Sequence, residues 1–405
     1  MIRRGLNVAD LFWHEFGYDP ESIYKESGNG GEIMKRLLAV ALLVLCAATA
    51  MAAGPALVNV RVGVHANEGG TPLAAVAQDQ GFFKKYGINP VFTIVESGPA
   101  EMTAMRADKR TLDVGYIGAG VAWNPIDGAG NQLSFVFLDN LSNSEMMLAK
   151  KGVFVDSNKN KKFDNAEIYA GLKGQTVYIE VGTTPGGWFK TLLEMSNAGK
   201  PDADKLWISC ETSAYLAGYT APNSNPANKV SVVNTLNANL PAGMATGGGM
   251  QVVAGFAPAT STILKTNKDV EKIATTVSNF PPEKSFPSTW VASDKWIAEN
   301  PVVAQNFINA LYEAAIWRAN NIDAAMRAGE MLAQRPVNSY DPTNLVAPDK
   351  ADYQAWFASN NALGYNFMKA LYDSKVPNVP KGNPVKPFEK AFNDKLLLEA
   401  LKTIK

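Results

Sequence analysis

Histidine and cysteine are nearly absent from this chain, which has two of each among its 405 residues. Enzymes that use a covalent nucleophile or a bound metal usually need a base beside a serine or cysteine, or a cluster of histidine, cysteine and carboxylate ligands. The patterns H-E-x-x-H, G-x-S-x-G and C-x-x-C do not occur in the sequence. The composition therefore argues against these classes of enzyme.

An excess of either charge is also lacking, because 38 lysines and arginines balance 38 aspartates and glutamates. This balance gives no reason to expect a nucleic acid or an anionic membrane as the main partner. Hydrophobic residues make up 46% of the chain and charged residues 19%, as in folded globular proteins. The length allows two or three domains of roughly 100–200 residues each.

The N-terminal region contains a short apolar segment that predicts a secretory signal peptide at residues 34–53. Lys35 and Arg36 provide its positive start, residues 37–46 its apolar core, and residues 48–50 and 50–52 the A-x-A cleavage patterns. The apolar run is shorter than the roughly 20 residues that a membrane-spanning helix needs. We therefore expect cleavage and export to the periplasm.

Residues 1–33 are polar and of mixed composition, which is unusual in front of a signal peptide. The sequence Gly-Gly-Glu-Ile at 30–33 implies purine-rich codons at the distance of a bacterial ribosome-binding site from Met34. Our interpretation is that translation starts at Met34; the alternative is a genuine N-terminal extension. After cleavage the chain would keep one histidine, His65, and one cysteine, Cys210, so an intrachain disulfide is excluded.

The rest of the chain alternates short runs of β-forming residues with helical patterns, which is typical of an α/β fold. Strands are predicted at residues 60–64, 90–95, 113–117, 133–138, 176–180, 230–234 and 251–256. The order predicts two β/α lobes joined by two hinge crossings, at residues 147–150 and 260–264. Lobe 1 would comprise residues 54–147 and 262–405, and lobe 2 residues 148–261.

Glycine, serine and threonine follow several of these strands and lead directly into helices. In open α/β sheets, ligands bind beyond the carboxyl ends of the strands. A helix N-terminus there can hold a polar or anionic group through its unpaired N–H groups. The two lobes together therefore predict a cleft that closes on a small ligand.

Two segments carry a resemblance to a known family. The first is AQDQGFFKKYGINPVFTIVESGPAEMTAMRADKRTLDVGYIGAG, and the second is LKGQTVYIEVGTTPGGWFKTLLEMSNAG. Both resemble the lobe signatures of nitrate/sulfonate/taurine-type periplasmic binding proteins, and the segments VVAGFAP and FNDKLLLEAL extend the likeness towards the C-terminus. The resemblance implies the type II periplasmic-binding-protein fold.

By this resemblance, the ligand loops are residues 65–71, 97–98, 118–120 and 183–184, together with Phe256. The residues expected at the ligand are His65, Asn67, Glu68, Ser97, Gly98, Gly118, Ala119, Gly120, Thr183, Thr184, Trp188 and Phe256. Two features depart from the family pattern: Ala257 stands where an acidic residue is common, and the segment 210–228 is longer than expected.

The resemblance implies the solute-binding component of an ABC importer, a monomer that needs no cofactor and delivers its ligand to an inner-membrane permease. The alternative is an enzyme of the thiamine-pyrimidine-precursor type, which has a similar fold but carries a cysteine-rich motif that is missing here. The proposed loops lack lysine and arginine, and Glu68 could pair with an amine. We therefore expect a zwitterionic or neutral polar ligand, such as a taurine-like sulfonate or an amino-acid-like molecule.

A separate motif at residues 156–167 has the spacing of an EF-hand calcium loop. Its predicted ligands are Asp156, Asn158, Asn160, the backbone carbonyl of Lys162, Asp164 and Glu167. Lys161 occupies the position where glycine normally adopts a left-handed conformation. The sequence leaves two interpretations open: a weak structural calcium site, and a polar surface loop without metal.

Overall fold

The computed structural model describes residues 57–404, apart from residues 96, 107–109, 130–132, 217–218, 246, 248 and 282–283. The predicted signal peptide and the segment before it lie outside the described residues. Within residues 57–404, no helix combines the length and apolar character needed to cross a membrane.

The strands occur in two sheets of six. They are β1 (Val58–His65), β2 (Ile88–Val95), β3 (Val114–Ile117), β4 (Leu133–Ser142), β5 (Met146–Lys150), β6 (Thr176–Ile179), β7 (Trp207–Cys210), β8 (Lys229–Asn234), β9 (Val252–Gly255), β10 (Val270–Thr275), β11 (Phe286–Ser293) and β12 (Leu345–Val346). The first sheet has the order β12-β4-β11-β3-β1-β2, and the second has the order β10-β5-β9-β6-β8-β7.

Both sheets are mixed, and the strand that follows each crossing, β5 or β11, runs antiparallel to its neighbours. In the second sheet, β5 runs antiparallel to β9, whereas β9, β6, β8 and β7 run parallel to one another. In the first sheet, β11 runs antiparallel to both β3 and β4. The parallel strands place their carboxyl ends at one edge of each sheet, and polar loops follow there.

The helices cover the faces of the sheets. They are α1 (Pro72–Asp79), α2 (Phe82–Lys85), α3 (Gly98–Arg106), α4 (Asn165–Leu172), α5 (Thr184–Ser196), α6 (Leu240–Met244), α7 (Ala259–Thr266), α8 (Thr276–Asn279), α9 (Asp294–Glu299), α10 (Pro301–Asn320), α11 (Ile322–Leu332), α12 (Lys350–Trp356), α13 (Leu363–Lys375), α14 (Phe388–Ala391) and α15 (Lys395–Thr403).

The largest hydrophobic core lies in the first lobe, around β4. All ten residues of β4 are buried, because the strand pairs with β12 and β11 on its two sides and lies within this core. Arg318 of α10 and Asp139 of β4 form an ion pair of 2.6 Å between side chains that are 0% exposed. Phe307 of α10, Phe367 of α13 and Leu397 of α15 belong to the same core, so the C-terminal helices pack on the first lobe.

The crossings between the sheets differ from the prediction. The strand Met146–Lys150, where the first crossing was predicted, pairs with Val270–Thr275 within the second sheet, so this crossing lies just before the strand. The chain leaves the first sheet at residues 143–145 and returns at residues 280–285. The sequence pattern missed β10 and β11, and the predicted return at residues 260–264 falls within helix α7 instead.

Candidate functional site

A cleft of about 600 Å³ lies between the two sheets and is lined by residues of both lobes. Nine of the predicted ligand residues line it: His65, Asn67, Ser97, Gly98, Gly118, Gly120, Thr183, Thr184 and Phe256. The structure thus brings together loops that are as far apart in sequence as residues 65 and 256. This volume suits a small molecule.

The first-lobe loop after β1 is held by its own side chains. Asn67 Oδ1 accepts hydrogen bonds from the backbone N–H groups of Gly69 (3.1 Å) and Gly70 (2.8 Å). The hydroxyl groups of Thr71 and Tyr340 lie 3.1 Å apart, which links the end of the loop to the C-terminal region. The loop is therefore fixed before any ligand enters.

His65 forms a buried pair with Glu101 of α3. Its Nε2 lies 2.7 Å from Glu101 Oε2, and the Glu101 side chain is 0% exposed. Burial raises the pKa of Glu101, whereas the neighbouring His65 and the backbone N–H of Tyr116 act in the opposite direction. The carboxylate thus fixes the orientation of the imidazole ring at the cleft wall.

Two glycines on adjacent strands make room for the Glu101 carboxyl group. A Cβ atom on Gly115 of β3 would lie 1.9 Å from Glu101 Oε1, and one on Gly63 of β1 would lie 2.3 Å from it. The ring of Tyr116 meets the ring of His65 edge-on, with 5.4 Å between their centroids. Strand β1 therefore provides both the His65 imidazole and, at Gly63, part of the space for the Glu101 carboxyl group that pairs with it.

The two lobes touch each other at one side of the cleft. The backbone N–H of Gly120 donates to the Thr184 hydroxyl at the start of α5, with a distance of 3.1 Å. A Cβ on Gly120 would lie 2.4 Å from the backbone nitrogen of Thr184. Glycine at position 120 thus permits close approach of the two predicted ligand loops.

The second-lobe wall is organised by Asn237. Its side chain bonds both the N–H of Phe256 (3.1 Å) and the carbonyl of Phe256 (3.0 Å). The Asn237 N–H donates to the Glu180 carboxylate at 2.8 Å. Glu180 follows strand β6 and lines the cleft. The ends of β6 and β9 are therefore tied together.

The floor of the cleft consists of residues that the sequence did not predict. They come from the antiparallel strands β4 and β11, the crossing after β4 and the C-terminal region: Asn140, Ser142, Ser144, Glu145, Ser288 and Asn344. Glu145 is 4% exposed, and burial raises its pKa. Arg335, which is exposed, also lines the cleft.

Glu68 does not line the cleft, contrary to the prediction. Its side chain is 0% exposed and accepts hydrogen bonds from the N–H of Asp341 (3.3 Å) and the side chain of Asn344 (3.2 Å). Burial raises the pKa of Glu68 to about 7. This carboxyl group therefore joins the first-lobe loop to the C-terminal region.

Trp188 and Ala119 also lie outside the cleft lining. Trp188 is 0% exposed, stacks on Phe280 with 5.4 Å between the ring centroids, and donates from Nε1 to the Thr276 hydroxyl (3.0 Å). The Trp188 ring therefore packs against Phe280, at the start of the chain's return to the first sheet, on the buried face of helix α5. Ala119 begins a short 3-10 turn and is 2% exposed.

A signal for some of the missed residues is present in the sequence. Glu180 is the last residue of the predicted strand 176–180 and directly follows β6, at the end where the rule for α/β sheets places ligand residues. Asn140, Ser142 and Ser288 lie on antiparallel strands, to which that rule does not apply. Glu145 lies in the crossing, whose position the sequence did not give.

The predicted calcium loop has the expected backbone shape. Lys161 has a φ of 62°, the left-handed conformation predicted for this position. Asp156 Oδ2 accepts from the N–H of Lys161 (2.7 Å), and Glu167 Oε1 accepts from the N–H of Ser157 (2.7 Å). The Ser157 hydroxyl also donates to Glu167 Oε1 (2.7 Å), and this bond, together with bonds from the N–H groups of Asp164 and Ser157, lowers the pKa of Glu167.

The carboxylates of this loop are therefore bonded to backbone N–H groups and to the start of helix α4. Asp164 and Glu167 form a capping box there. Within the described part of the chain, no three histidine, cysteine, aspartate or glutamate side chains are grouped to hold a metal ion. Calcium binding by the loop stays a prediction.

Known proteins resemble this chain over most of its length. A Brucella abortus (strain 2308) protein, provisionally named a binding protein, is 26% identical over 265 residues, which cover 65% of this chain and 68% of the relative. The periplasmic nitrate-binding protein NrtA from Synechocystis PCC 6803 is 14% identical with a TM-score of 0.56, covering 87% of this chain and 90% of NrtA.

Two further solved structures have a similar fold. One, described as a sulfonate-binding protein SsuA from Methylobacillus flagellatus KT, is 14% identical with a TM-score of 0.54, covering 86% of this chain and 95% of the other. The other is the desulfurization enzyme DSZB, 11% identical with a TM-score of 0.53, covering 86% and 99%. These likenesses confirm the predicted fold of periplasmic binding proteins, on which both binding and catalysis occur.

The model of the NMT1-like family matches residues 53–333, which is more than half of the chain. The match includes most of the first lobe and all of the second sheet. By this match, and with the two-lobed fold and cleft described above, the chain belongs to the NMT1-like family.

Proposed function

We propose that the protein is the periplasmic solute-binding component of an ABC importer and holds a small polar molecule between its two lobes. The observation that carries the proposal is the cleft, whose walls come from loops after β1, β3, β6 and β9 on both sheets. The binding roles named for the Brucella relative and for NrtA support it. An inner-membrane permease would be its partner.

A binding role fits the residues of the cleft better than catalysis does. Cys210 ends strand β7 at the edge of the second sheet and is not part of the lining. His65 is engaged with Glu101, and its other neighbours include the ring of Tyr116. Because DSZB shares the fold, we base this choice on the site and not on the fold.

The charges of the cleft favour a zwitterionic or cationic ligand over a simple inorganic anion. Glu145 and Glu180 bring two carboxyl groups, against the exposed Arg335 and the ring of His65. Amino-acid-like molecules and taurine-like sulfonates carry both charges and so match this mixture. Nitrate offers no positive group for either carboxylate.

A thermal-shift screen of the purified mature protein tests the proposed function. A ligand that binds only the native state stabilises it by RT ln(1 + [L]/Kd), about 2.7 kcal/mol at a hundredfold excess over Kd. We expect clear increases in Tm with compounds from the amino acid, sulfonate and small polar solute classes. Turnover of a compound without a matching Tm increase would favour an enzyme instead.

A further inference from the structure

The side chain of Glu145 is a buried carboxyl group at the junction between the two lobes. It lies in the crossing at residues 143–145, is 4% exposed and lines the cleft. Because the crossing connects β4 with β5, Glu145 lines the cleft at the point where the chain passes from one lobe to the other. A carboxyl group in such a place is costly to ionise unless it gains a partner.

The surroundings of Glu145 provide hydroxyl groups but no positive charge. Ser142 Oγ donates to Glu145 Oε2 with a distance of 2.5 Å, and the Ser144 hydroxyl and the N–H of Glu145 itself also contribute hydrogen bonds. Among residues 57–404 as described, no lysine, arginine or histidine nitrogen lies within 4.0 Å of this carboxyl group. It therefore has no internal counter-ion in the part of the chain that is described.

A second acceptor on the cleft floor also lacks a donor. Asn140 Nδ2 donates to Asp139 Oδ1 at 2.9 Å, and Asp139 is in turn paired with Arg318. Because a carboxylate only accepts, this contact fixes the amide nitrogen of Asn140 towards Asp139. The remaining atom, Oδ1, is buried and has no hydrogen-bond partner. The floor thus offers unmatched acceptors.

The other carboxyl groups near the cleft are already engaged. Glu101 pairs with His65, and Glu180 accepts from the N–H of Asn237. Glu68 lies outside the lining, bonded to the C-terminal region. Among the described residues, Glu145 is therefore the cleft-lining carboxyl group that lacks both a cation and a backbone donor from another residue.

We infer that the ligand carries a cationic nitrogen group, such as an ammonium or amidinium, and that Glu145 pairs with it while Asn140 accepts a further hydrogen bond. This inference rests on the proposed function and names the ligand class of the same cleft. Burial raises the pKa of the Glu145 carboxyl group, as expected for a buried acid without a counter-ion. Entry of the cation would provide the charge partner that the described residues lack.

Matched pairs of compounds test the inference on the wild-type protein. Taurine and isethionate differ only in an ammonium group against a hydroxyl group, and β-alanine and 3-hydroxypropionate differ in the same way. The wider screen is sorted by the presence of a cationic nitrogen. We expect binding, measured by calorimetry, to be at least ~100-fold tighter for the nitrogen-containing members, because the hydroxyl group of the other member can donate a hydrogen bond but brings no positive charge to the buried carboxyl group.

A variant shows whether Glu145 is responsible. E145Q keeps the shape but removes the charge, and we expect it to weaken binding of the best cationic ligand by ~100-fold or more. E299Q removes one negative charge from the exposed Glu299 and serves as the control, with affinity unchanged. Tm without ligand checks that both variants fold.

The outcomes separate the inference from the proposed function. Equal affinity for nitrogen-free partners, or unchanged affinity in a folded E145Q, overturns the inference while the binding function stands. A wild-type protein that binds no compound of the screen overturns the proposed function and the inference together. The comparison of compound pairs needs no variant, so it decides the question even if E145Q does not fold.

Discussion

The single histidine of the described chain is positioned by two glycines and a buried glutamate. Gly63 and Gly115 lie side by side on β1 and β3, and the space above them holds the Glu101 carboxyl group. That carboxyl group bonds His65 at 2.7 Å. Replacement of either glycine must therefore displace this buried carboxyl group.

We predict that G115A destabilises the protein, because its Cβ would lie 1.9 Å from Glu101 Oε1 and 2.8 Å from Glu101 Cδ. Overpacking of this kind costs roughly 1–3 kcal/mol, and sometimes more. The control is G182A, where a Cβ meets no atom within 4 Å. Urea unfolding measures both, and equal stability of the two variants would contradict the proposed packing of Glu101.

Glu68 gives a second prediction at the residue scale, on pH dependence. Its pKa is about 7 in the folded protein against 4.5 for an unburied glutamate. Between these values the unfolded chain ionises first, so the contribution of Glu68 is most favourable below pH 4.5 and is lost as the pH rises to 7. The loss corresponds to about 3 kcal/mol.

The variant E68Q removes this titration. We expect the stability of E68Q relative to wild type, from urea unfolding at a series of pH values, to rise between pH 4.5 and 7 and then level off. Other titrating groups cancel in the difference because both proteins share them. A difference that stays constant over this range would show that Glu68 is not buried as described.

The loop at residues 65–71 shows which side-chain positions the sequence could predict and which it could not. The sequence placed His65 and Asn67 at the ligand because they follow the predicted strand 60–64, and both residues line the cleft. Glu68 lies in the same loop and is also polar, yet its carboxyl group contacts Asn344, which is 276 positions away in the sequence. Only the tertiary arrangement distinguishes the neighbours, and the same holds for Glu145 and Asn140.

At the scale of elements, β4 was predicted although it pairs antiparallel with β11, whereas β5, β7, β10, β11 and β12 were not predicted. β1, β2, β6, β8 and β9 are short apolar runs followed by polar loops, so their pattern identified them. β5, β10 and β11 lie beside the crossings, and pairing with a distant strand determines their sheet. The two predicted crossings were consequently displaced to residues 143–145 and 280–285.

The loop at residues 156–167 is the element whose role is open to a direct test. We predict that it binds calcium with Kd in the ~10⁻⁴–10⁻³ M class of extracellular modules. To bind, Glu167 must give up its bonds to the N–H groups of Ser157 and Asp164, which weakens the site. Calorimetric titration of calcium into chelator-treated protein measures the affinity.

The matched control for this titration is E167Q, which removes the carboxylate at the last position of the loop. We expect wild type to release or absorb heat and to gain Tm, and E167Q to do neither. No heat and no Tm increase for wild type at ~10 mM calcium, well above that affinity class, would leave a polar loop closed by its own capping box.

For the whole molecule, the two crossings between the lobes lie next to each other, an arrangement that allows hinge motion. The N–H of Val277 donates to Asn143 Oδ1 at 3.0 Å, and Ser142 is the strand partner of Phe286. Contact between the lobes at Gly120 and Thr184 lies on the cleft side. Opening would separate this contact while the crossings stay together, as in hinge closure around a ligand.

Small-angle scattering of the mature protein, without ligand and then saturated with the strongest compound of the thermal-shift screen, tests the central claim most directly. If the cleft between the lobes is the ligand site and closes on its occupant, the radius of gyration decreases on binding. A compound that raises Tm while the scattering curve stays unchanged would contradict capture between closing lobes.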